Sequence, residues 1–267
     1  MGYWSNVVVV MAVVGERGAS GAAGGLRSGV LEAVVRVRDA RAVVRELPAG
    51  EVRAAFFAGC VPWRRARSRR GQRHLPGEYW SATTGGHVPY ESQLELDRLL
   101  MADFDRDVVD VVAQPCEVTA VVDGRRRRHV PDFLLVTAAG LATVVNVKPA
   151  ERLAKSLVAQ ALEWPRQVFT AAGFGYEIWS GCDLVRLENV RFLAGYRRPW
   201  IADDDALRRV RRAVGEGASL DAVERALAAG GQGWSVRPLV LAALWRHQVL
   251  TDLGRPLSGA SVLRRSV

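Results

Sequence analysis

From residue 78 onward the alternation of hydrophobic and polar positions resolves into elements. Residues 79–83 alternate toward a short strand, which the Gly85-Gly86 pair ends. Over 90–103, Leu96, Leu99 and Leu100 fall on one stripe with charges opposite, which predicts an amphipathic helix. An apolar run at 108–112 stops at Gln114-Pro115, and 117–122 alternates toward another strand. Residues 129–136 rise as a strand, 137–140 turn, and 141–147 return, the pattern of a hairpin. A long helix is predicted over 151–172, kinked or divided at Pro165, then a strand at 176–179 and a helix at 187–195.

After Pro199 the periodicity is helical throughout. Three aspartates open a helix at 203–214, and Ser219 caps a second at 220–229 that Gly230-Gly231 ends. A third, over 235–250, places Val236, Leu239, Val240, Ala243, Leu244 and His247 on one face. Three short helices followed by a turn at 251–257 predict a small winged-helix-like domain over 200–267. The first 75 residues form an N-terminal extension to which no chemistry is assigned. Within it lie a strand at 7–14, a glycine- and alanine-rich linker at 15–29 and a basic loop at 64–73; residues 31–47 stay open between helix and strand.

Composition narrows the classes. The chain has 267 residues, 49% hydrophobic and 24% charged, which excludes a disordered polymer and suits one large domain or a domain of about 150 residues with a smaller companion. The longest apolar run, 7–14, is too short to cross a membrane and has no basic segment before it of the kind a secretory signal carries. Three widely spaced cysteines form no zinc or disulfide pattern, so a cytoplasmic protein with reduced thiols is expected. The net charge of +9 favours a polyanionic partner, nucleic acid first. Only two of the 37 basic residues are lysines, so a lysine at a chemically suggestive position stands out.

Lys148 is at such a position. Pro131-Asp132-Phe133 lies on one arm of the predicted hairpin and Asn146-Val147-Lys148 on the other. With the turn centred at 139–140, Asp132 faces Val147; a shift of one residue sets it opposite Asn146. Either register brings a carboxylate, an amide or carbonyl oxygen and an ammonium to one end of the hairpin. These are the parts of a metal-dependent phosphodiesterase site. Oxygen ligands hold Mg²⁺, with Mn²⁺ as the alternative ion, and a lysine steadies charge or positions the attacking water. A further acidic ligand should come from the helix over 90–103, where Glu91 and Glu95 are four apart. Glu95 borders the apolar stripe and is the first choice; Glu91, nearer the helix start, is the second.

Taken in order, Ser92-Gln93-Leu94-Glu95-Leu96, the strand ending in Gln114-Pro115, Pro131-Asp132-Phe133 and Asn146-Val147-Lys148-Pro149-Ala150 resemble the PD-(D/E)xK nucleases. Among these they are most similar to TnsA, the endonuclease subunit of heteromeric, Tn-seven-type transposases. The resemblance covers roughly residues 79–180. It implies an α/β, restriction-endonuclease-like core, a mixed sheet flanked by helices, over 76–199. It further implies a Mg²⁺-dependent endonuclease cutting one strand at transposon ends during DNA transposition. A TnsB-like integrase-type transposase and a TnsC-like AAA+ ATPase would be its partners. Carried over residue by residue, the metal ligands are Glu95, Asp132 and the Val147 carbonyl, and Lys148 orients water. Asn146 stands where the family carries Glu or Gln and is expected to assist.

Two arginine groups are candidate DNA contacts: Arg125, Arg126, Arg127 and Arg128 before the hairpin, and Arg208, Arg209 and Arg212 on one helix face. Each group serves equally well as a solvated surface. His129 is three residues before Asp132, so alternation along one strand puts it on the opposite face and in a structural role. Two other functions fit the same residues: a stand-alone restriction or repair nuclease, and a non-catalytic DNA-binding assembly protein.

Overall fold

A computed structural model describes residues 30–64, 76–230 and 236–266. The strand expected at 7–14, the linker at 15–29 and the basic loop beyond Arg64 lie outside these residues. The chain is mixed α/β and divides into two compact units, one holding residues up to 99 and 107–181, the other holding 100–106 and 182–267.

In the first unit, β1 (Val30–Asp39) and β2 (Val44–Pro48) come from the segment left open between helix and strand, and the short β3 (Cys60–Val61) follows it. They are followed by the hairpin β4 (Gly77–Ser81) and β5 (Gly86–Tyr90), then helix α1 (Gln93–Phe104), whose residues from Leu100 onward belong to the second unit. Next come β6 (Val108–Ala113), β7 (Glu117–Val122), β8 (Arg125–His129), β9 (Phe133–Thr137) and β10 (Ala142–Val147). Helices α2 (Ala150–Leu153) and α3 (Ser156–Ala171) lead to β11 (Gly175–Trp179).

Two sheets result. One is antiparallel in the order β2-β1-β7-β8, with β3 also on β1. The other runs β11-β10-β9-β6, with β10 and β11 parallel and the remaining pairs antiparallel. A parallel pair needs a crossover, and α2–α3 supply it. β10 is buried on both faces, which is why Ala142-Thr-Val-Val-Asn-Val reads as a run instead of an alternation. Val35, Val37, Val118 and Ala120 of the first sheet, Leu134 and Val144 of the second, and Trp164, Val168 and Phe169 of α3 share one core.

Three expectations need correcting here. The segment 129–136 is two strands in different sheets, because the chain leaves β8 at His129 and re-enters as β9 at Phe133. The helix expected over 151–172 divides before Ser156, and Pro165 sits inside α3. Pro165 has no N–H to give the preceding turn, and the Tyr176 hydroxyl donates to the adjoining Leu162 carbonyl at 3.2 Å. The boundary expected at residue 76 is absent, since β1 pairs with β7 and so belongs to the same unit.

The second unit starts at Cys182 instead of 200 and adds α4 (Leu184–Leu193) to the three expected helices. These are α5 (Asp204–Ala213), α6 (Leu220–Ala229) and α7 (Arg237–Trp245), with a ribbon of β12 (Val249–Leu250) and β13 (Arg264–Arg265). Asp183, Asp203 and Ser219 cap α4, α5 and α6 through side-chain oxygens that accept from the first turn. α7 stops earlier than expected because His247 takes a left-handed backbone, φ 51°. Its ring donates from Nε2 to the Phe104 carbonyl at 2.6 Å. Among the described residues, no helix is long and apolar enough to cross a membrane.

Asn189 of α4 fastens the loop after β12. Its buried amide donates to the Leu253 and Arg255 carbonyls at 2.9 and 2.7 Å and accepts from the Leu257 N–H at 3.0 Å. Asn189→Ala strips three backbone groups of their partner, so a loss of about 2–3 kcal/mol is expected in chemical denaturation.

Candidate active site

The hairpin β9–β10 pairs Phe133 with Val145 and Leu134 with Val144. Continued one step, this ladder sets Asp132 opposite Asn146, the shifted register of the two considered. Asp132 then turns along the end of β10. Its Oδ2 accepts from the Val147 N–H at 2.6 Å and from Lys148 Nζ at 3.1 Å, while the same ammonium donates to the Val147 carbonyl at 2.9 Å. Carboxylate, carbonyl and ammonium thus meet as the pattern of residues required. The Lys148 Nζ bridges the two oxygens expected to take a metal ion, supplying positive charge between them.

Glu95 approaches from α1. The helix begins only at Gln93, so Ser92 is its cap, and Ser92 with Glu95 forms a capping box. The Ser92 hydroxyl accepts from the Glu95 N–H at 3.2 Å and donates to Glu95 Oε1 at 3.0 Å, and Oε2 accepts from the Glu91 N–H at 2.7 Å. The S-x-x-E spacing is the signal in the sequence for this cap, which the helix expected from residue 90 passed over. Burial pushes the Glu95 carboxyl above the usual carboxylate range, and the neighbouring Asp132 and Glu91 charges push it further, against the two hydrogen bonds. The site is therefore rich in negative charge. Glu91, expected to share a helix face with Glu95, lies before the helix and accepts instead from Gln114 Nε2 at 2.7 Å.

Asn146 departs from its expected role. It is fully buried, and its Oδ1 accepts from His129 Nε2 at 2.6 Å, while its Nδ2 has no hydrogen-bond partner among the described residues. The amide is committed to the histidine and does not join the carboxylates. His129 is accordingly part of the neighbourhood of the site, because the break between β8 and β9 cancels the alternation that set it on the far face. Burial holds its imidazole below the ordinary histidine range, with Lys148 and Arg64 acting in the same direction.

Gln114, which closes the strand of the Gln114-Pro115 pair, has a further role. Its backbone is left-handed, φ 44°, and its N–H donates to the Asp132 carbonyl at 2.8 Å. Its carbonyl accepts from the Trp63 N–H at 2.9 Å and its Oε1 from the Arg64 N–H at 3.1 Å. It ties Glu91, Asp132 and the 63–64 segment together.

The arginines divide. Arg125–Arg128 form the exposed edge strand β8, and none of the four pairs with a carboxylate among the described residues. Arg208 is paired with Asp205, whereas Arg209 and Arg212 are exposed on α5.

Hard oxygen donors of this kind suit Mg²⁺ or Mn²⁺, ions held by one or two carboxylates with waters completing the shell. Asp132, Glu95 and the Val147 carbonyl are the groups of that type at hand. Among the described residues, no three His, Cys, Asp or Glu side chains gather closely enough to hold a metal by themselves. Compared with models of known protein families and with curated proteins, the chain matches none.

The raised Glu95 value has a consequence for stability. The folded state holds this proton more tightly than the unfolded chain does. The carboxyl therefore contributes stability below its unfolded value, and that contribution is lost as pH rises through the folded one. Glu95→Gln retains an oxygen for the cap and removes the charge. It should melt above the wild-type protein at neutral pH, with the gap closing in acid, in thermal denaturation across a pH series.

Proposed function

We propose that the chain is a Mg²⁺-dependent DNA endonuclease that hydrolyses a phosphodiester on one strand, the TnsA-like subunit of a heteromeric transposase. The observation that carries this reading is the meeting of Asp132, the Val147 carbonyl and Lys148 at the end of the β9–β10 hairpin. Glu95 beside Asp132 adds to it. The mixed four-stranded sheet with helices around it is the arrangement such a core would have. Asp132, Glu95 and the Val147 carbonyl would hold the ion. Bound there, the ion would polarise the scissile phosphate and acidify a water. Lys148, whose ammonium bridges the Asp132 and Val147 oxygens, would yield them to the ion and, as a compact charge beside it, orient the nucleophile and stabilise charge growing on the phosphate oxygens.

The second unit, with α5, α6 and α7 beside α4 and a two-stranded ribbon, fits a winged-helix-like recruiting domain. α7 is buried along most of its length, which leaves no free face for a DNA groove. The exposed Arg209 and Arg212 of α5 are better placed to engage DNA phosphate or a partner. TnsB-like and TnsC-like proteins are the partners this reading supplies. A second reading, a non-catalytic DNA-binding assembly protein, draws on Asn146, whose amide is spent on His129.

Plasmid nicking by the full chain with Mg²⁺, alone and with both partners, separates the two. Asp132→Ala and Lys148→Ala should each lower the rate by on the order of 10²-fold or more with circular dichroism unchanged. Wild-type rates in either variant would remove the assignment.

A further inference from the structure

We propose that Arg64 is a phosphate-binding residue of this site. Gln114 fixes it beside Asp132, and the arginine strand β8 leads the same nucleic-acid backbone toward it. The inference rests on the reading that the centre acts on DNA, and it names how that substrate is held.

The first argument is electrostatic. Glu91, Glu95 and Asp132 set three carboxylates against the one ammonium of Lys148 around the centre. Such a site repels a phosphodiester unless cations flank it. Arg64 is exposed and pairs with no carboxylate among the described residues. Its charge is near enough to His129 to disfavour that ring's protonation, and His129 holds the amide of Asn146.

The second argument is the anchoring. A solvated residue needs no buried support. Yet the peptide N–H groups of Trp63 and Arg64 both bond to Gln114, which is itself buried and left-handed. The same Gln114 donates to the Asp132 carbonyl and to Glu91. One residue, through its backbone and its side chain, thus sets the backbone of Arg64 relative to the backbone of Asp132. A guanidinium so placed offers a planar fork to phosphate oxygens.

The third argument is continuity. β8 is the edge strand of its sheet, and it ends in His129. Arg125–Arg128 therefore run along an open edge toward the site, with residues of one face about 6.6 Å apart. A polyanion following this edge arrives at the His129 end, where Arg64 stands.

The test is binding of the full chain to a fluorescein-labelled DNA duplex by anisotropy, in chelator and over a series of salt concentrations, beside Mg²⁺-dependent nicking. Arg64→Ala keeps the peptide N–H that bonds Gln114, so the fold is undisturbed. It should weaken binding and flatten the salt slope by about one unit, and Arg64→Lys should restore the slope. In nicking, Arg64→Ala should raise KM more than it lowers kcat. An unchanged slope in Arg64→Ala, with the wild-type protein binding and nicking, overturns the Arg64 assignment alone. Wild-type binding without Mg²⁺-dependent nicking overturns the nuclease reading, and the slope still decides Arg64. A wild-type chain that binds no DNA overturns both.

Discussion

The Asp132 carboxylate lies at the end of a strand pair and is largely shielded from water, so it must be met by donors where it stands. The Val147 N–H and the Lys148 ammonium meet it, both from the next strand, and the distances of 2.6 and 3.1 Å leave little slack. Everything else about the site follows from keeping that register. The ladder below it is built of Phe133, Leu134, Val144 and Val145, all nearly inaccessible. A slip of one residue would carry every side chain of this ladder to the other face, where differently shaped neighbours wait, and the short turn at 137–140 resists it. The apolar core and the turn together thus specify the electrostatics, because they decide which residue Asp132 faces.

Much of this was legible in the sequence. The β9–β10 hairpin, its turn, and the meeting of Asp132 with the Asn146-Val147-Lys148 segment followed from alternation and turn length. The helix cap at Ser219 followed from residue type, while Asp203, expected inside its helix, caps it instead. The misreadings have physical causes. Alternation was carried through 129–132 as one strand, although Val130-Pro131 changes sheets there, and this misplaced His129. Asn146 was judged by its chemical kind, but a polar residue in a doubly buried strand is decided by its neighbour, and that neighbour is 17 residues away. The strands before residue 76 show no clean period because their exposed positions carry valines as well as arginines. Val43 and Val44 stand about half exposed.

Glu95 carries two demands that pull against each other. As the closing residue of a capping box it belongs where the helix N-terminus welcomes negative charge. As a neighbour of Asp132 and Glu91, partly withdrawn from water, it resists that charge. A carboxyl held by a cap yet short of counter-charge is one that any added positive charge nearby would stabilise without moving the helix.

Gln114 constrains how this chain can vary. A left-handed backbone is easiest for glycine, then asparagine, and difficult for anything branched at Cβ. Glycine would ease the conformation but forfeit both side-chain bonds, to Glu91 and to the Arg64 N–H. Asparagine accepts the backbone but is one methylene shorter, so its amide falls short of at least one of those partners. Glutamate keeps the reach and turns a donor into a second negative charge facing Glu91. Every single exchange at this position loses either backbone ease, reach or charge balance. Drift there is closed off one step at a time, and only a change made together with Glu91 or the 63–64 segment can pass.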